Sequence, residues 1–230
     1  MNLNDNAHLT RQLDLIPMEC LDMPINIVGV GAIGSFTALA LVKMGMTNIR
    51  VWDHDTVSVE NLSNQFYRHT DIGSNKAEAL RDLIYQFTGV YIEAFPCKYN
   101  VEDPPETSGI FISAVDSMET RNLIRETLIL TRGASLIIDP RMGAESYLQY
   151  AVHPKTDWYK NTMYTDERAV QEPCTAKSTV YTATLAAGLI VKTIKNYIMG
   201  QPYPKSISWD IKSSKSTLKM YPNKEINETP

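Results

Sequence analysis

The chain has little cysteine, no excess of basic residues and no long apolar run, and each shortage excludes a class of function. Its three cysteines, Cys20, Cys97 and Cys174, are an odd number at wide spacing. That supports neither a disulfide framework nor a Cys-x-x-Cys zinc site. The four histidines, His8, His54, His69 and His153, do not cluster with cysteines or acids at metal-ligand spacing and read as loop or surface residues. With 22 Lys and Arg against 26 Asp and Glu, the formal net charge is −4 and the cations are scattered, which argues against nucleic acid as a partner. No run is long and apolar enough to span a bilayer, and the opening Met1-Asn2-Leu3-Asn4-Asp5-Asn6 lacks the basic and apolar regions of a secretory signal. A cytoplasmic protein without a membrane partner is therefore expected. At 230 residues the chain can bury a sizeable core, most simply as one α/β domain with elaborations.

Glycine is also sparse, yet three of the 11 fall within six residues. Ile25 to Val30 reads as a buried strand, Gly29-Val30-Gly31-Ala32-Ile33-Gly34 as a turn, Ser35 to Met44 as a helix and Asn48 to Asp53 as the next strand. In such a βαβ unit the first glycine permits a tight turn, the second lets phosphate approach bare backbone and the third lets helix and strand pack closely. Phosphate then sits at the helix N-terminus, where unpaired N–H groups favour an anion. Asp53, about twenty residues beyond the turn, is placed to accept hydrogen bonds from ribose hydroxyls.

Around this unit, Leu9, Leu13 and Ile16 have helical spacing ended by Pro17, predicting a short leader helix. Helices are predicted at Lys76 to Phe87, Glu119 to Leu130 and Ser178 to Tyr197. Strands are predicted at Tyr91 to Phe95, Gly109 to Val115, Ser135 to Asp139 and Tyr147 to Val152. Ile207 to Ile211 and Thr217 to Tyr221 suggest a late antiparallel hairpin before a polar tail, 222–230. The alternation implies a Rossmann-like, mostly parallel, doubly wound sheet with a C-terminal antiparallel extension, placing Gly29, Asp53 and Asp116 at its carboxyl edge. Residues 1–200 would form the nucleotide-binding domain and 201–221 antiparallel strands of the same domain. The stretch 154–173 reads as a long crossing segment.

A second constellation, Asp53-His54-Asp55 through Asn61-Leu62-Ser63-Asn64-Gln65 to Asn75-Lys76, resembles the ubiquitin-activating superfamily, in particular ThiF/MoeB-like adenylyltransferases. The resemblance runs from about Leu9 to Gly200. It implies ATP and magnesium (Mg2+) as cofactors, a homodimer, and adenylation of the C-terminal carboxylate of a small carrier or ubiquitin-like protein or of a peptide. The family's glycine loop matches Gly29, Gly31 and Gly34, its ribose acid Asp53, its phosphate lysine Lys76 and its magnesium acid Asp116. Its Asn-Leu-x-Arg-Gln motif matches Asn61 to Gln65, with Asn64 where the family has an arginine thought to reach the phosphates. Arg68, four residues on, is the candidate substitute. Thr10-Arg11-Gln12 resembles a leader motif whose arginine reaches a neighbouring subunit's site.

Taken singly, these residues have other uses: Lys76 as a solvated helix residue, Asp116 as a helix N-cap, Asn61 and Gln65 as loop polar groups. Cys174, just before a predicted helix, is either a nucleophile whose thiolate the helix dipole favours or a buried, inert small residue. Two further readings stay open. One is a non-catalytic half of a heterodimeric activating enzyme, consistent with Asn64. The other is an NAD- or FAD-dependent oxidoreductase, which leaves the stretch from Asn61 to Lys76 without a role.

Overall fold

The computed structural model describes residues 9–12, 15–18, 21–100, 108–131, 133–164 and 178–221. Eight strands form one sheet in the order β3-β2-β1-β4-β5-β6-β7-β8. The parallel part comprises β1 (Ile25–Val28), β2 (Ile49–Trp52), β3 (Glu93–Phe95), β4 (Gly109–Ser113) and β5 (Ala134–Gly143). β6 (Ser146–Val152), β7 (Pro204–Asp210) and β8 (Lys215–Met220) continue it antiparallel. The expected Rossmann-like sheet with its antiparallel extension is therefore present.

The helices wind on both faces. Side chains of α1 (Ala32–Met44), α2 (Lys76–Thr88) and α4 (Val180–Ile198) share one hydrophobic cluster with Ile25, Ile27, Ile49 and Val51. α3 (Met118–Thr131) contributes Ile124 and Leu128 to a second cluster on the other face, with Val28, Trp52, Phe111 and Ile137. β1 and β4 are buried along their whole length because helices cover both faces, which is why they read as continuous apolar runs rather than alternating ones. The strand order reverses direction between β1 and β4, the switch point at whose carboxyl ends sheets of this kind bind ligands.

Several boundaries differ from expectation. α1 begins at Ala32, directly after Gly31, rather than at Ser35. Residues 9–12 and 15–18 form hydrogen-bonded turns rather than a helix among the described residues, although Leu9 and Ile16 are buried in the core. β3 begins only at Glu93, since Tyr91 is exposed. β5 runs on to Gly143 because beyond its parallel partner it pairs antiparallel with β6. The crossing segment forms a 3-10 turn at Asp157–Thr162. Cys20, Cys174 and the tail 222–230 lie outside the described residues.

Candidate active site

The glycine turn is shaped by backbone contacts that exclude side chains. Gly29 has φ +88°, in the left-handed region, and a Cβ there would lie 2.7 Å from the Ala114 carbonyl oxygen. A Cβ on Gly34 would overlap the Gly29 carbonyl oxygen, so only glycine lets α1 lie this close to its own turn. Gly31 is different. The nearest atom to a Cβ there is Gln65 Nε2 at 3.9 Å, so the space beside its backbone is open. Gly31 caps α1 with no side-chain hydrogen bond, and the first turn carries no acid, so the first-turn N–H groups receive no side-chain acceptor from the cap.

Asp53, at the end of β2, is nearly buried, and both its oxygens are engaged: Oδ2 accepts from Val30 N–H (2.8 Å) and Oδ1 from Asp55 N–H (2.9 Å). It thus holds the glycine turn against β2, a structural role that the reading of Asp53 as a ribose acid did not include. Asn75 performs a second unforeseen tie. Its side-chain oxygen caps α2, accepting from Ala77 (2.9 Å) and Glu78 (3.2 Å) N–H, while its amide donates to the Asp53 (3.0 Å) and Asp55 (3.1 Å) carbonyls. Lys76, the first residue of α2, is thereby placed at the same strand end. Its Nζ lies 3.0 Å from Asp55 Oδ2.

Tyr67 completes this frame from below. Its hydroxyl donates to the carbonyls of Val30 (2.7 Å) and Lys76 (3.2 Å), joining the turn to the α2 N-terminus. Burial, then the charges of Asp53, Asp71 and Asp55, push its phenol well above its ordinary value. Replacing Tyr67 with Phe leaves those two carbonyls without this donor. The expected cost is about 1–3 kcal/mol, read as a lower thermal midpoint, and an unchanged midpoint would show the hydroxyl to be dispensable.

The segment between Asp55 and Lys76 packs over α1 through two 3-10 turns, Val59–Ser63 and His69–Asp71. Asn61 caps the first, its side-chain oxygen accepting from Ser58 N–H (3.0 Å), and Phe66 N–H donates to Ser35 Oγ (3.0 Å) in the first turn of α1. Asn64 donates to Ser178 just before α4. The side-chain oxygens of Asn64 and Gln65 are buried without a hydrogen-bond donor among the described residues, and acceptors of that kind suit a ligand's hydroxyl or amino group.

Arg68 is not brought to this place, and Arg11, expected at a neighbouring subunit's site, is not part of it either. Arg68 binds Asp71 through Nε and Nη2 (2.7 Å) and reaches Gln86 through Nη1. Gln86 is ten residues beyond Lys76 in α2, about 15 Å along the helix. Arg68 in this arrangement therefore does not take the place of the arginine missing at Asn64, and the physical reason is its ion pair with Asp71. The acid three residues on was the available signal. Arg11 is exposed beside Leu9, whose side chain packs on Gly45 at the far end of α1, about 20 Å from the glycine turn. Within one chain it stands apart from this site.

Asp116 is exposed where the chain leaves β4, and the Ala114–Val115 peptide just before it lies against Gly29. What supports this exit lies in residues distant in sequence. Arg121 of α3 donates to the Ser113 carbonyl (2.6 Å), to the Val115 carbonyl and to the buried Asp139. Asp139 also accepts from Arg141 (2.7 Å) and from Tyr159 (2.7 Å). Burial pushes its carboxyl up, but Arg121, Arg141 and the bonds from Arg141 and Tyr159 outweigh that and hold it below the usual range. The stability this provides is complete above the unfolded value of about 3.9 and is lost as pH falls toward and through the folded one. The gap between the thermal midpoints of wild type and Asp139→Asn is thus expected to start narrowing only below about pH 4. A gap that already narrows between pH 7 and 5 would contradict this. An acid directly after the apolar run Leu136-Ile137-Ile138 is the signal for this, since a buried charge needs a partner.

The view that no histidine clusters with acids is corrected: ligand atoms of Asp53, His54 and Asp55 lie within 4.8 Å of one another. Consecutive residues escape a rule based on spaced ligands. The carboxylates are already engaged by Val30, Asp55 N–H and Lys76 as described. Among the described residues no helix is long and apolar enough to cross a membrane.

A family profile described as the ThiF family matches residues 7–228. The NEDD8-activating enzyme E1 catalytic subunit of Dictyostelium discoideum is 31% identical over 112 residues, 47% of this chain and 25% of the relative. Ubiquitin-like modifier-activating enzyme 5 of Arabidopsis thaliana is 24% identical, covering 90% of this chain and 55% of the relative. The chain thus spans about half or less of these relatives' lengths. Among solved structures, E. coli MccB with ATP superposes with a TM-score of 0.74 at 16% identity, covering 90% of this chain and 66% of that one. PaaA superposes with a TM-score of 0.76 at 19% identity, covering 96% and 84%. At these identities the superpositions speak for the fold.

Proposed function

The chain belongs to the ThiF family, and from that premise we propose that it uses ATP and magnesium to adenylate the C-terminal carboxylate of a small carrier, ubiquitin-like protein or peptide. The carrying observation is the convergence of an open backbone turn at Gly31, a lysine at the head of α2 and an exposed Asp116 at one carboxyl edge. A relative named for activating NEDD8 and the structures of MccB with ATP and with N-formylated MccA support the same reading.

In the proposed reaction a carboxylate oxygen bonds to the α-phosphorus of ATP as the bond to the departing pyrophosphate breaks. Such a transfer asks mainly for positioning and charge neutralisation. The turn's amides would bind phosphate oxygens, and Lys76 would hold negative charge where it develops. Asp116, an oxygen ligand open to solvent, fits magnesium, which binds through one or two carboxylates and keeps several waters. Magnesium when bound would neutralise phosphate charge. Asp53, Asn61, Asn64 and Gln65 would frame the nucleotide, Arg11 would serve the site of a partner in a homodimer, and the Cys174 thiolate would then attack the acyl carbon, forming a thioester as the bond to the departing AMP breaks.

The test is exchange of labelled pyrophosphate into ATP with magnesium and trial carriers, alongside calorimetry of ATP uptake. Exchange that requires both magnesium and a carrier supports the proposal, and a protein that takes up no ATP overturns it. Cys174→Ala protein that still forms a carrier thioester would remove Cys174 from the reaction. A second reading, the non-catalytic half of a heterodimer, is favoured by the bonding of Asn64 to Ser178 and of Arg68 to Asp71, which leaves the motif without its arginine. ATP uptake without exchange, even when carrier is present, selects that reading.

A further inference from the structure

The exit from β4 is gripped from two sides, and neither grip involves Asp116 itself. On one side Gly29 lies against the Ala114–Val115 peptide, and Ala114 N–H donates to the Val28 carbonyl (2.8 Å). On the other, the single guanidinium of Arg121 takes the Ser113 and Val115 carbonyls together with Asp139. Carbonyls at a strand's end have lost their ladder partners and need a donor when buried. A planar guanidinium fixes the direction of its acceptors as a flexible ammonium cannot.

Arg121 is in turn held. Asp139 has no exposed side-chain surface, and its second oxygen accepts from Arg141 and Tyr159. Arg141 donates onward to the Thr162 carbonyl (2.8 Å) and hydroxyl (3.1 Å), and its guanidinium lies 4.9 Å from the Tyr150 ring centroid. One connected set of contacts thus runs from the β4 exit through α3 and β5 to the turn at Asp157–Thr162.

We propose that Arg121, braced by Asp139, is a positioning residue that sets the direction in which Asp116 leaves the sheet, and through it the magnesium-dependent part of ATP binding. The proposal rests on the adenylation reading of the site. Outer contacts that orient a metal ligand typically change metal affinity by 10- to 100-fold when removed.

Arg121→Gln is the decisive variant, because Asp139 keeps Arg141 and Tyr159 and no buried charge is stranded. Asp139→Asn would leave two guanidiniums without a counter-charge and so tests folding instead. Two quantities are measured: amide hydrogen exchange of residues 114–117 in ligand-free protein, and ATP affinity by calorimetry with magnesium or with a chelator. In Arg121→Gln, exchange at Ala114 and its neighbours is expected to quicken by about tenfold. ATP affinity with magnesium is expected to fall roughly tenfold while the chelator value stays put, with Arg121→Lys intermediate. Unaltered exchange overturns the brace. An equal fall of affinity with magnesium and with chelator overturns the link to Asp116. Wild-type protein that takes up no ATP defeats the adenylation reading and the magnesium role together, while the exchange measurement still reports separately on the grip at β4.

Discussion

Lys76→Ala is expected to lower adenylate formation by about 10²- to 10³-fold, the range for removing one preorganised charge-stabilising group, while the thermal midpoint stays near that of wild type. The side chain is only 10% exposed, and its partner Asp55 is half-exposed. A pair with one solvated member contributes little, about 0–1 kcal/mol. A cation at a helix N-terminus also works against the dipole, so stability gives no reason for lysine to open α2. Under the proposed function, the favourable use is an anionic partner arriving at the neighbouring turn, to which Tyr67 ties the α2 N-terminus. Pyrophosphate exchange and calorimetry with ATP check this. Lys76→Arg keeps the charge but changes the shape of the donor, so partial activity is expected there. Exchange within threefold of wild type in Lys76→Ala would reduce the residue to a mostly buried ion-pair partner of Asp55.

Gly34→Ala and Gly31→Ala are expected to fail in different ways, although each adds one methyl group. At Gly34 the methyl overlaps the Gly29 carbonyl oxygen, which belongs to backbone that Ala114 and Trp52 also hold in place. Relief requires α1 to move off its strand, at a cost of about 1–3 kcal/mol or more. For a chain of this size each kcal/mol lowers the midpoint by about 2–4 °C, so a drop of several degrees is expected, with ATP binding lost. At Gly31 the methyl meets nothing closer than 3.9 Å, so the midpoint should hold while ATP affinity falls, because the added group occupies the approach to the turn amides. Thermal melts paired with calorimetry separate the two. If Gly31→Ala bound ATP as wild type does, phosphate would not lie against that backbone.

The local unit was legible because its signals are short in range. Strand, turn and helix between Ile25 and Met44 are written in neighbouring residues, and the apolar runs of β1 and β4 report burial on both faces. Helix starts were read less well: α1 opens three residues before the expected Ser35, since Gly31 gives no side-chain cap to mark the boundary. Arg68 illustrates the opposite failing. Proximity to Asn64 in sequence suggested a shared site, but Asp71 three residues later competes for the same guanidinium and wins by direct ion pairing.

The α/β class, the glycine turn, the order of the candidate groups from Gly29 to Asp116 and the family resemblance are all readable from the chain alone. These depend on periodicity and on residue types at fixed short spacing, which the backbone translates directly into turns and faces. Only the tertiary structure decided that Asp53 and Tyr67 brace the turn, that Arg11 stands at the far end of α1, and that Arg121, Asp139 and Arg141 form one buried ionic set under Asp116. Those partners are separated in the chain by up to tens of residues. Which buried charge meets which is settled by strand order and helix placement, because the cost of desolvation is met only where folding brings an opposite charge within hydrogen-bonding distance.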